Sequence, residues 1–201
     1  MNTQSFEDDI HQYGFHIIDN FLGESDYQDL LTAIATKYQL GHFRLAKIGN
    51  NENVQQKRAI RSDHIYWLDS FSDHVGLEAY MAAIEMIRNL LNQAFFLSLV
   101  EFEAHFAAYA PGSFYKKHID QFITTQERKI SCVYYLNTNW LPEHGGELSI
   151  YNPKDELLAT VQPVGNRMIC FNSELPHEVL PTTNMRYSIT GWFKTRPVLP
   201  F

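Results

Sequence analysis

In this chain of 201 residues, residues 109–120 read YAPGSFYKKHID. This segment contains the pattern His118-x-Asp120, an imidazole and a carboxylate two residues apart. If the segment forms a strand, both side chains point to one face, because successive side chains of a strand alternate. The two groups can then occupy neighbouring positions on one metal ion. Since so short a pattern also occurs by chance, a metal site is predicted only if the chain supplies a third ligand.

The candidate third ligand is His177, within residues 175–181, which read LPHEVLP. It lies at the start of a predicted strand and between two prolines, whose fixed backbone dihedral restricts the local path of the chain. Two histidines and one carboxylate with open coordination positions are typical of non-haem Fe(II) oxygenases. Taken alone, His177 is equally well interpreted as a packed histidine of the core.

A buried arginine is predicted nine residues after His177, in residues 186–193, which read RYSITGWF. The alternation is that of a strand, and its inward, polar-lined face is predicted to carry Arg186, Ser188, Thr190 and Trp192. A buried arginine without a partner is unfavourable. A dicarboxylate cosubstrate would supply that partner through a bidentate contact. A salt bridge to a core Asp or Glu is the alternative.

Two further strands contribute candidate side chains to the same interior. Tyr134 and Tyr135 are adjacent in a predicted strand and point to opposite faces, so one hydroxyl faces inward and needs a hydrogen bond. His105 is predicted to share a strand face with Tyr109, opposite Phe106. If Tyr109 faces a pocket, His105 therefore lines it as well.

The composition is that of a globular protein, with 45% hydrophobic and 19% charged residues. The net charge of -7 and the pI near 5.7 argue against nucleic acid as a partner. The sequence has no apolar run of membrane-spanning length and no signal-peptide pattern. The two cysteines, Cys132 and Cys170, are too few for a disulfide framework. We expect both to be reduced and buried in a cytoplasmic protein, whose oligomeric state the sequence leaves open.

The periodicity changes near residue 100 from helical to strand-like. Residues 47–58 are polar and aperiodic, and are interpreted either as a plain surface loop or as a lid or binding loop. The predicted helices span residues 3–13, 24 or 25–38, and 75–97. The predicted strands span residues 14–22, 61–68, 101–109, 114–120, 129–137, 147–151, 156–162, 167–172, 177–182 and 185–194. Eight strands in the second half predict a sandwich or a jelly roll, preceded by helices.

Taken together, the motifs resemble those of a known family. The ordered motifs are GFHIIDNFL at 14–22, IRSDHIYW at 60–67, the segment at 109–120, RKISCVYYLNTNW at 128–140, GGEL at 145–148, PHEV at 176–179 and RYSITGWF at 186–193. This set resembles the Fe(II)- and 2-oxoglutarate-dependent prolyl 4-hydroxylases, most closely the hypoxia-inducible-factor prolyl hydroxylases and their bacterial relatives. The resemblance implies an α+β fold with a double-stranded β-helix (jelly-roll) core at about 98–196 and supporting N-terminal helices at about 1–97. One oxygenase domain would span residues 1–201.

The resemblance also implies roles for individual residues. The implied iron ligands are His118, Asp120 and His177, and the implied cosubstrate residues are Arg186 and Tyr135 at the distal carboxylate of 2-oxoglutarate, Tyr109 at its metal-side end, and Thr190, Trp192, Ile65 and Leu148 along the pocket. The implied substrate residues are Arg61, Asp63, Arg128 and Trp192. Arg128 is expected to pair with Asp63, and His105 stands where an apolar side chain is usual.

The activity implied by the resemblance is hydroxylation of a prolyl residue in a protein, with release of succinate and CO2. The implied cofactors are Fe(II), the cosubstrates 2-oxoglutarate and O2, and ascorbate as a supporting reductant. Three alternatives remain open from the residues alone. They are a zinc hydrolase or cupin-like isomerase with the same ligands, a non-catalytic binding module, and an oxygenase of this fold that acts on a free amino acid or another small molecule.

Overall fold

The computed structural model describes residues 2–46, 59–68, 75–121 and 125–196. The predicted loop at 47–58 lies outside these residues. The helices are α1 (Thr3–Tyr13), α2 (Glu24–Gln39) and α3 (Val75–Phe95), with a short 3-10 helix at Pro142–His144. The strands are β1 (Phe15–Asp19), β2 (Arg44–Leu45), β3 (His64–Trp67), β4 (Glu101–Tyr109), β5 (Tyr115–His118), β6 (Arg128–Tyr135), β7 (Leu148–Tyr151), β8 (Leu157–Val161), β9 (Arg167–Asn172), β10 (His177–Val179) and β11 (Arg186–Lys194).

Two antiparallel sheets form the core of the fold. The larger has seven strands in the order β1-β9-β6-β11-β4-β3-β2, and the smaller has four in the order β5-β10-β7-β8. Apart from β2-β3, β3-β4 and β7-β8, neighbouring strands are distant in sequence, as in a double-stranded β-helix. The predicted jelly-roll core with N-terminal helices is therefore confirmed.

Strand alternation divides the core into two apolar layers. Phe106 and Ala108 of β4 belong to the layer shared with the helices, whereas Ala107 and Tyr109 belong to the layer between the two sheets. The helix α3 contributes a buried stripe at helical spacing, formed by Leu77, Tyr80, Ile84, Ile87 and Leu91. The helices therefore cover the outer face of the large sheet and leave its inner face to the interior of the jelly roll.

The turn between α1 and β1 requires a glycine. Gly14 ends the helix with φ of 79°, in the left-handed region, and its N–H donates to the carbonyl of Ile10. A Cβ at this position would also lie 3.1 Å from Cδ1 of Leu175. The close turn places β1 against β9 at the edge of the large sheet.

The strand that carries the opening motif is shorter than predicted. It was expected at 114–120, but β5 ends at His118, and Asp120 lies in a bend beyond it. The two side chains of the motif are thus not brought to one face by strand alternation. The pairing of β5 with β10 continues only to His118, which lies opposite His177, so the chain is free to turn after it.

The cysteines are buried and free, as predicted. Cys132 of β6 lies directly opposite Cys170 of β9, with 3.5 Å between the sulfur atoms. Burial raises the pKa of the Cys132 thiol well above its ordinary value. None of the helices in the described ranges is both long and apolar enough to cross a membrane.

Tyr80 provides a test of the helix–sheet packing. Its side chain is fully buried, and its hydroxyl has no hydrogen-bond partner among the described residues. We expect Tyr80→Phe to leave the free energy of unfolding unchanged or to raise it by about 1 kcal/mol, because an unsatisfied buried hydroxyl is removed. The matched control is Tyr134→Phe, whose hydroxyl donates to Asn166 at 2.8 Å. Loss of this hydrogen bond is expected to lower the free energy of unfolding by about 1 kcal/mol, measured by denaturant unfolding. Equal losses in both variants would contradict the conclusion that the Tyr80 hydroxyl is unsatisfied.

Candidate active site

A cavity of about 810 Å³ lies between the two sheets. Strands β3, β4, β6 and β11 of the large sheet and β5, β7 and β10 of the small sheet contribute to its walls. Residues lining it include Arg61, Ile65, Trp67, His105, Tyr109, Tyr115, His118, Asp120, Arg128, Leu148, His177, Arg186, Thr190 and Trp192. Most of the predicted site residues therefore share one cavity. Tyr135 and Asp63 do not line it and instead contact residues that do.

Three potential metal ligands converge on one wall of the cavity. His118 and His177 lie opposite each other on β5 and β10, and Asp120 reaches them from the bend after β5. Nε2 of His118 is 3.4 Å from Oδ1 of Asp120, and Nε2 of His177 is 3.4 Å from its Oδ2. One ligand atom from each residue lies within 4.8 Å of the others. Among the described residues, this is the cluster of His, Cys, Asp and Glu that could hold a metal ion.

Backbone carbonyls orient both imidazoles. Nδ1–H of His118 donates to the carbonyl of Lys116 at 2.8 Å, and Nδ1–H of His177 donates to the carbonyl of Leu175 at 2.9 Å. These bonds select the tautomer whose Nε2 carries the free lone pair. Both lone pairs are consequently available on the side where the carboxylate lies.

The carboxylate of Asp120 is held in its charged form. Burial raises its pKa, but His177 and His118 outweigh burial and hold the pKa well below its ordinary value. The Ser131 hydroxyl also donates to Oδ2 of Asp120 at 2.8 Å, and it lies 2.9 Å from the Ser173 hydroxyl. Sequence reasoning missed both serines. Only Ser131 could have been found from the sequence, because it shares a face of the predicted strand with Tyr135.

The pKa values of the two imidazoles in the cluster are shifted in opposite directions. Burial, reinforced by His177, lowers the pKa of His118. Burial also lowers the pKa of His177, but the Asp120 carboxylate outweighs it and raises the pKa above its ordinary value. Tyr115 stacks on His118 with 3.6 Å between ring centroids, which fixes the imidazole plane. Burial raises the pKa of Tyr115 to about 12, so its phenol stays neutral.

Arg186 lies at the cavity wall with 1% of its surface exposed. Its Nε donates to the carbonyl of Gly146 at 2.9 Å, and a terminal nitrogen donates to the Ser188 hydroxyl at 3.4 Å. Its guanidinium packs against the rings of Tyr109 and Tyr135, at 4.8 and 5.1 Å. Within the described ranges, Arg186 has no carboxylate partner. The alternative, a salt bridge from Arg186 to a core Asp or Glu, is therefore not found among the described residues, and the charge of Arg186 remains available to an anion.

Tyr135 completes the surroundings of this arginine. It is fully buried, and its hydroxyl has no partner of acceptable hydrogen-bond geometry in the described part of the chain. Burial raises the pKa of Tyr135, opposed by the charge of Arg186, so the hydroxyl is a neutral donor. A buried cation and a buried free donor side by side are the groups that a carboxylate binds.

The predicted substrate residues form different ion pairs from those expected. Arg61 donates from two nitrogens to Asp63, at 2.6 and 2.9 Å. The expected pairing of Arg128 with Asp63 is replaced by two hydrogen bonds from Arg128 to Glu103, at 2.9 and 2.7 Å. The reason is the position of Arg128 at the start of β6, where its guanidinium crosses the Trp192 ring at 3.7 Å and reaches β4.

The fold and the ligand cluster together are those of a non-haem iron oxygenase, and the comparisons agree. Residues 104–194 match the 2OG-Fe(II) oxygenase superfamily. Human prolyl hydroxylase EGLN3 is 31% identical over 193 residues, which cover 92% of this chain and 80% of that protein. The chain belongs to the 2OG-Fe(II) oxygenase superfamily and, within it, to the prolyl hydroxylases.

Two solved structures are similar over nearly the whole chain. A Pseudomonas putida prolyl-4-hydroxylase is 34% identical, with a TM-score of 0.85 over 96% of this chain and 99% of that one. A Trichoplax adhaerens prolyl hydroxylase, in complex with a hypoxia inducible factor oxygen degradation domain peptide fragment, is 29% identical. Its TM-score is 0.83 over 96% of this chain and 88% of that one.

Membership of this family implies Fe(II) as the metal and 2-oxoglutarate and O2 as cosubstrates. The residues present fit these groups. Two imidazole nitrogens and one carboxylate are a suitable donor set for Fe(II). The guanidinium of Arg186, which has no carboxylate partner among the described residues, and the hydroxyl of Tyr135 fit the distal carboxylate of a dicarboxylate.

Proposed function

We propose that this enzyme hydroxylates a prolyl residue within a protein or peptide, and that one oxygenase domain spanning residues 1–201 carries the activity. The observation that carries the proposal is the pairing, in one cavity, of the ligand cluster with a buried arginine that lacks a carboxylate partner among the described residues. A zinc hydrolase, a cupin-like isomerase or a plain metal-binding module has no need of such an arginine. A 2-oxoglutarate-dependent oxygenase needs both features.

In this proposal His118, Asp120 and His177 hold Fe(II) and leave the remaining coordination positions open. When bound, the iron with 2-oxoglutarate and O2 supplies the oxidising chemistry, which inserts one oxygen atom into a C–H bond and releases succinate and CO2. The hydrogen bond from Ser131 to Asp120, and those from the two imidazoles to backbone carbonyls, keep the ligands in place before the metal binds. Preorganised ligands reduce the reorganisation that binding requires.

Arg186 and Tyr135 bind the distal carboxylate of 2-oxoglutarate, and Tyr109 contacts the metal-side end of the molecule. The guanidinium packs against the rings of Tyr109 and Tyr135, which restricts its orientation for a bidentate contact. Ile65, Leu148, Thr190 and Trp192 line the rest of the pocket. Apolar walls exclude water, and a dry pocket strengthens the contact between Arg186 and the carboxylate.

Arg61, Asp63, Arg128 and Trp192 are proposed to lie on the substrate side of the cavity. The proposal of a peptide substrate is supported by the relative from Trichoplax adhaerens, whose structure contains a bound peptide fragment. The indole of Trp67, 43% exposed at the same wall, offers an apolar surface to an incoming chain. We further propose ascorbate as the supporting reductant. We also propose the cytoplasm as the compartment, in keeping with two facing cysteines that are not joined.

The test is a comparison of proteins from wild-type and deletion strains by mass spectrometry. We expect at least one proline to gain a single oxygen atom only where the intact gene is present. The purified enzyme should add the same oxygen to a synthetic peptide that contains this proline, and 4-hydroxyproline should be found on hydrolysis. Oxygen incorporation into a free amino acid, with every peptide left unmodified, would instead favour the small-molecule oxygenase.

A further inference from the structure

Three aromatic side chains at the cavity wall form a cluster whose buried ring nitrogens neither hold the iron nor bind the distal carboxylate in the proposed function. His105, in the middle of β4, lies opposite Trp67 of β3 on one side and opposite Thr190 of β11 on the other. The imidazole centroid is 4.9 Å from the ring of Trp67 and 5.4 Å from the ring of Trp192. We call Trp67, His105 and Trp192 the indole cluster; all three line the cavity.

The indole cluster contains three buried polar atoms without partners. His105 is 1% exposed, and neither ring nitrogen has a hydrogen-bond partner among the described residues. Nε1 of Trp192, which is 5% exposed, is unsatisfied in the same part of the chain. Buried polar groups of a folded protein are nearly always paired, so such a group at a cavity wall points to a ligand. A core histidine of purely structural role would have found a carbonyl or a carboxylate.

The chemistry of these atoms defines the group that they would bind. Burial lowers the pKa of His105 well below its ordinary value, and the charges of Arg61 and Arg128 lower it further. The ring is therefore neutral, with one nitrogen that donates and one that accepts, while the Trp192 indole only donates. A peptide group is the matching partner, because it carries one N–H donor and one C=O acceptor and no charge.

We propose that His105 and Trp192 bind the main-chain peptide group of the substrate that follows the prolyl residue that is hydroxylated, since the peptide group before a proline has no N–H. This inference rests on the proposed function, in which the substrate is a polypeptide. His105 then determines substrate class, because a free amino acid lacks the peptide group that satisfies the cluster. The ring of Trp67, which is 43% exposed, packs against His105 with 4.9 Å between the ring centroids.

The experiment measures peptide affinity in the holoenzyme. The protein is loaded with Fe(II) and 2-oxoglutarate under nitrogen and titrated calorimetrically with synthetic peptides that each contain one central proline. His105→Leu should weaken binding of the best peptide about tenfold, because two buried hydrogen bonds are lost. Trp192→Phe, which keeps an aromatic ring but removes the N–H, should weaken it severalfold. His105→Gln should retain most of the affinity, because its amide also donates and accepts.

The control places the same chemical change outside the cavity. His16 lies on β1 and binds Asp9 at 2.6 Å, so His16→Leu removes a part-buried histidine without touching the cluster. Its peptide affinity should equal that of the wild type. The dissociation constant of 2-oxoglutarate is measured for every variant, because a structural role for His105 would weaken both ligands together, whereas our inference requires a loss for the peptide alone.

The outcomes separate the inference from the proposed function. Equal peptide affinity of the wild type and His105→Leu overturns the inference and leaves the prolyl hydroxylase proposal intact. A wild type that consumes 2-oxoglutarate with free L-proline and binds no peptide overturns both. If His105→Leu does not fold, the comparison of His105→Gln with Trp192→Phe decides: an undiminished affinity in Trp192→Phe contradicts the role of the cluster.

Discussion

Replacement of His177 by alanine is expected to abolish iron binding and activity together. His177 supplies one of the three ligand atoms of the proposed iron site, and nothing else in the described cluster can replace it. Loss of an outer-shell partner alone typically weakens metal binding by about 10–100-fold. Loss of a ligand should therefore exceed about 100-fold. Iron content after dialysis, together with 2-oxoglutarate turnover, measures the effect.

The design of this experiment must separate loss of a ligand from loss of the fold. His177 is 4% exposed and contacts Phe171 and His118, so truncation leaves a cavity in the core. His177→Gln fills most of the volume and serves as a second variant, and circular dichroism checks that both fold. The control is His11→Ala, on an exposed position of α1. A folded His177→Ala protein that retains stoichiometric iron and full activity would contradict the ligand assignment.

Arg186→Ala is expected to raise the KM for 2-oxoglutarate by at least tenfold. A hydrogen bond to a charged group contributes about 1.5–3 kcal/mol, and the proposed contact is charge-assisted and bidentate. Arg186→Lys keeps the charge but loses the planar fork, so its KM should fall between those of the wild type and the alanine variant. An unchanged KM in Arg186→Ala would move the cosubstrate site elsewhere.

Thermal unfolding provides an independent measurement of the same contact. A ligand that binds only the folded state raises the unfolding temperature, by an amount set by its concentration relative to its dissociation constant. With Fe(II) bound, 2-oxoglutarate should stabilise the wild type markedly and Arg186→Ala hardly at all. Arg186 is buried without a carboxylate partner among the described residues. The unliganded Arg186→Ala variant should therefore lose less stability than the variant loses in binding of 2-oxoglutarate. Equal stabilisation of both proteins by 2-oxoglutarate would contradict the proposal.

Much of the fold was predictable because local patterns and tertiary packing agree. The helix at Thr3–Tyr13 and the strands at Glu101–Tyr109 and Arg167–Asn172 have the predicted bounds. Alternation along β11 also predicted which side chains face the cavity, since every second residue of a strand points to the same layer. The two strands pair with their neighbours over their full length, so no tertiary contact overrides the local preference.

The geometry of the site was less predictable, because it depends on contacts between distant segments. Alternation predicted that Asp120 shares a face with His118, but the carboxylate arrives from a bend and is fixed by Ser131 of another strand. The pairing of Arg128 with Glu103 depends on the distance across Trp192, which no local pattern encodes. Whether His105 has a hydrogen-bond partner likewise depends on every element packed around it.

The most direct measurement is the stoichiometry of turnover with a prolyl peptide. The purified enzyme is incubated with Fe(II), ascorbate, O2, 2-oxoglutarate and the peptide identified in cells, and succinate and hydroxyproline are quantified together. The proposed function predicts that the peptide accelerates succinate formation and that hydroxyproline accumulates in equal amount. Absence of succinate under every substrate condition, or succinate formation that no prolyl peptide accelerates and that yields no hydroxyproline, would contradict it.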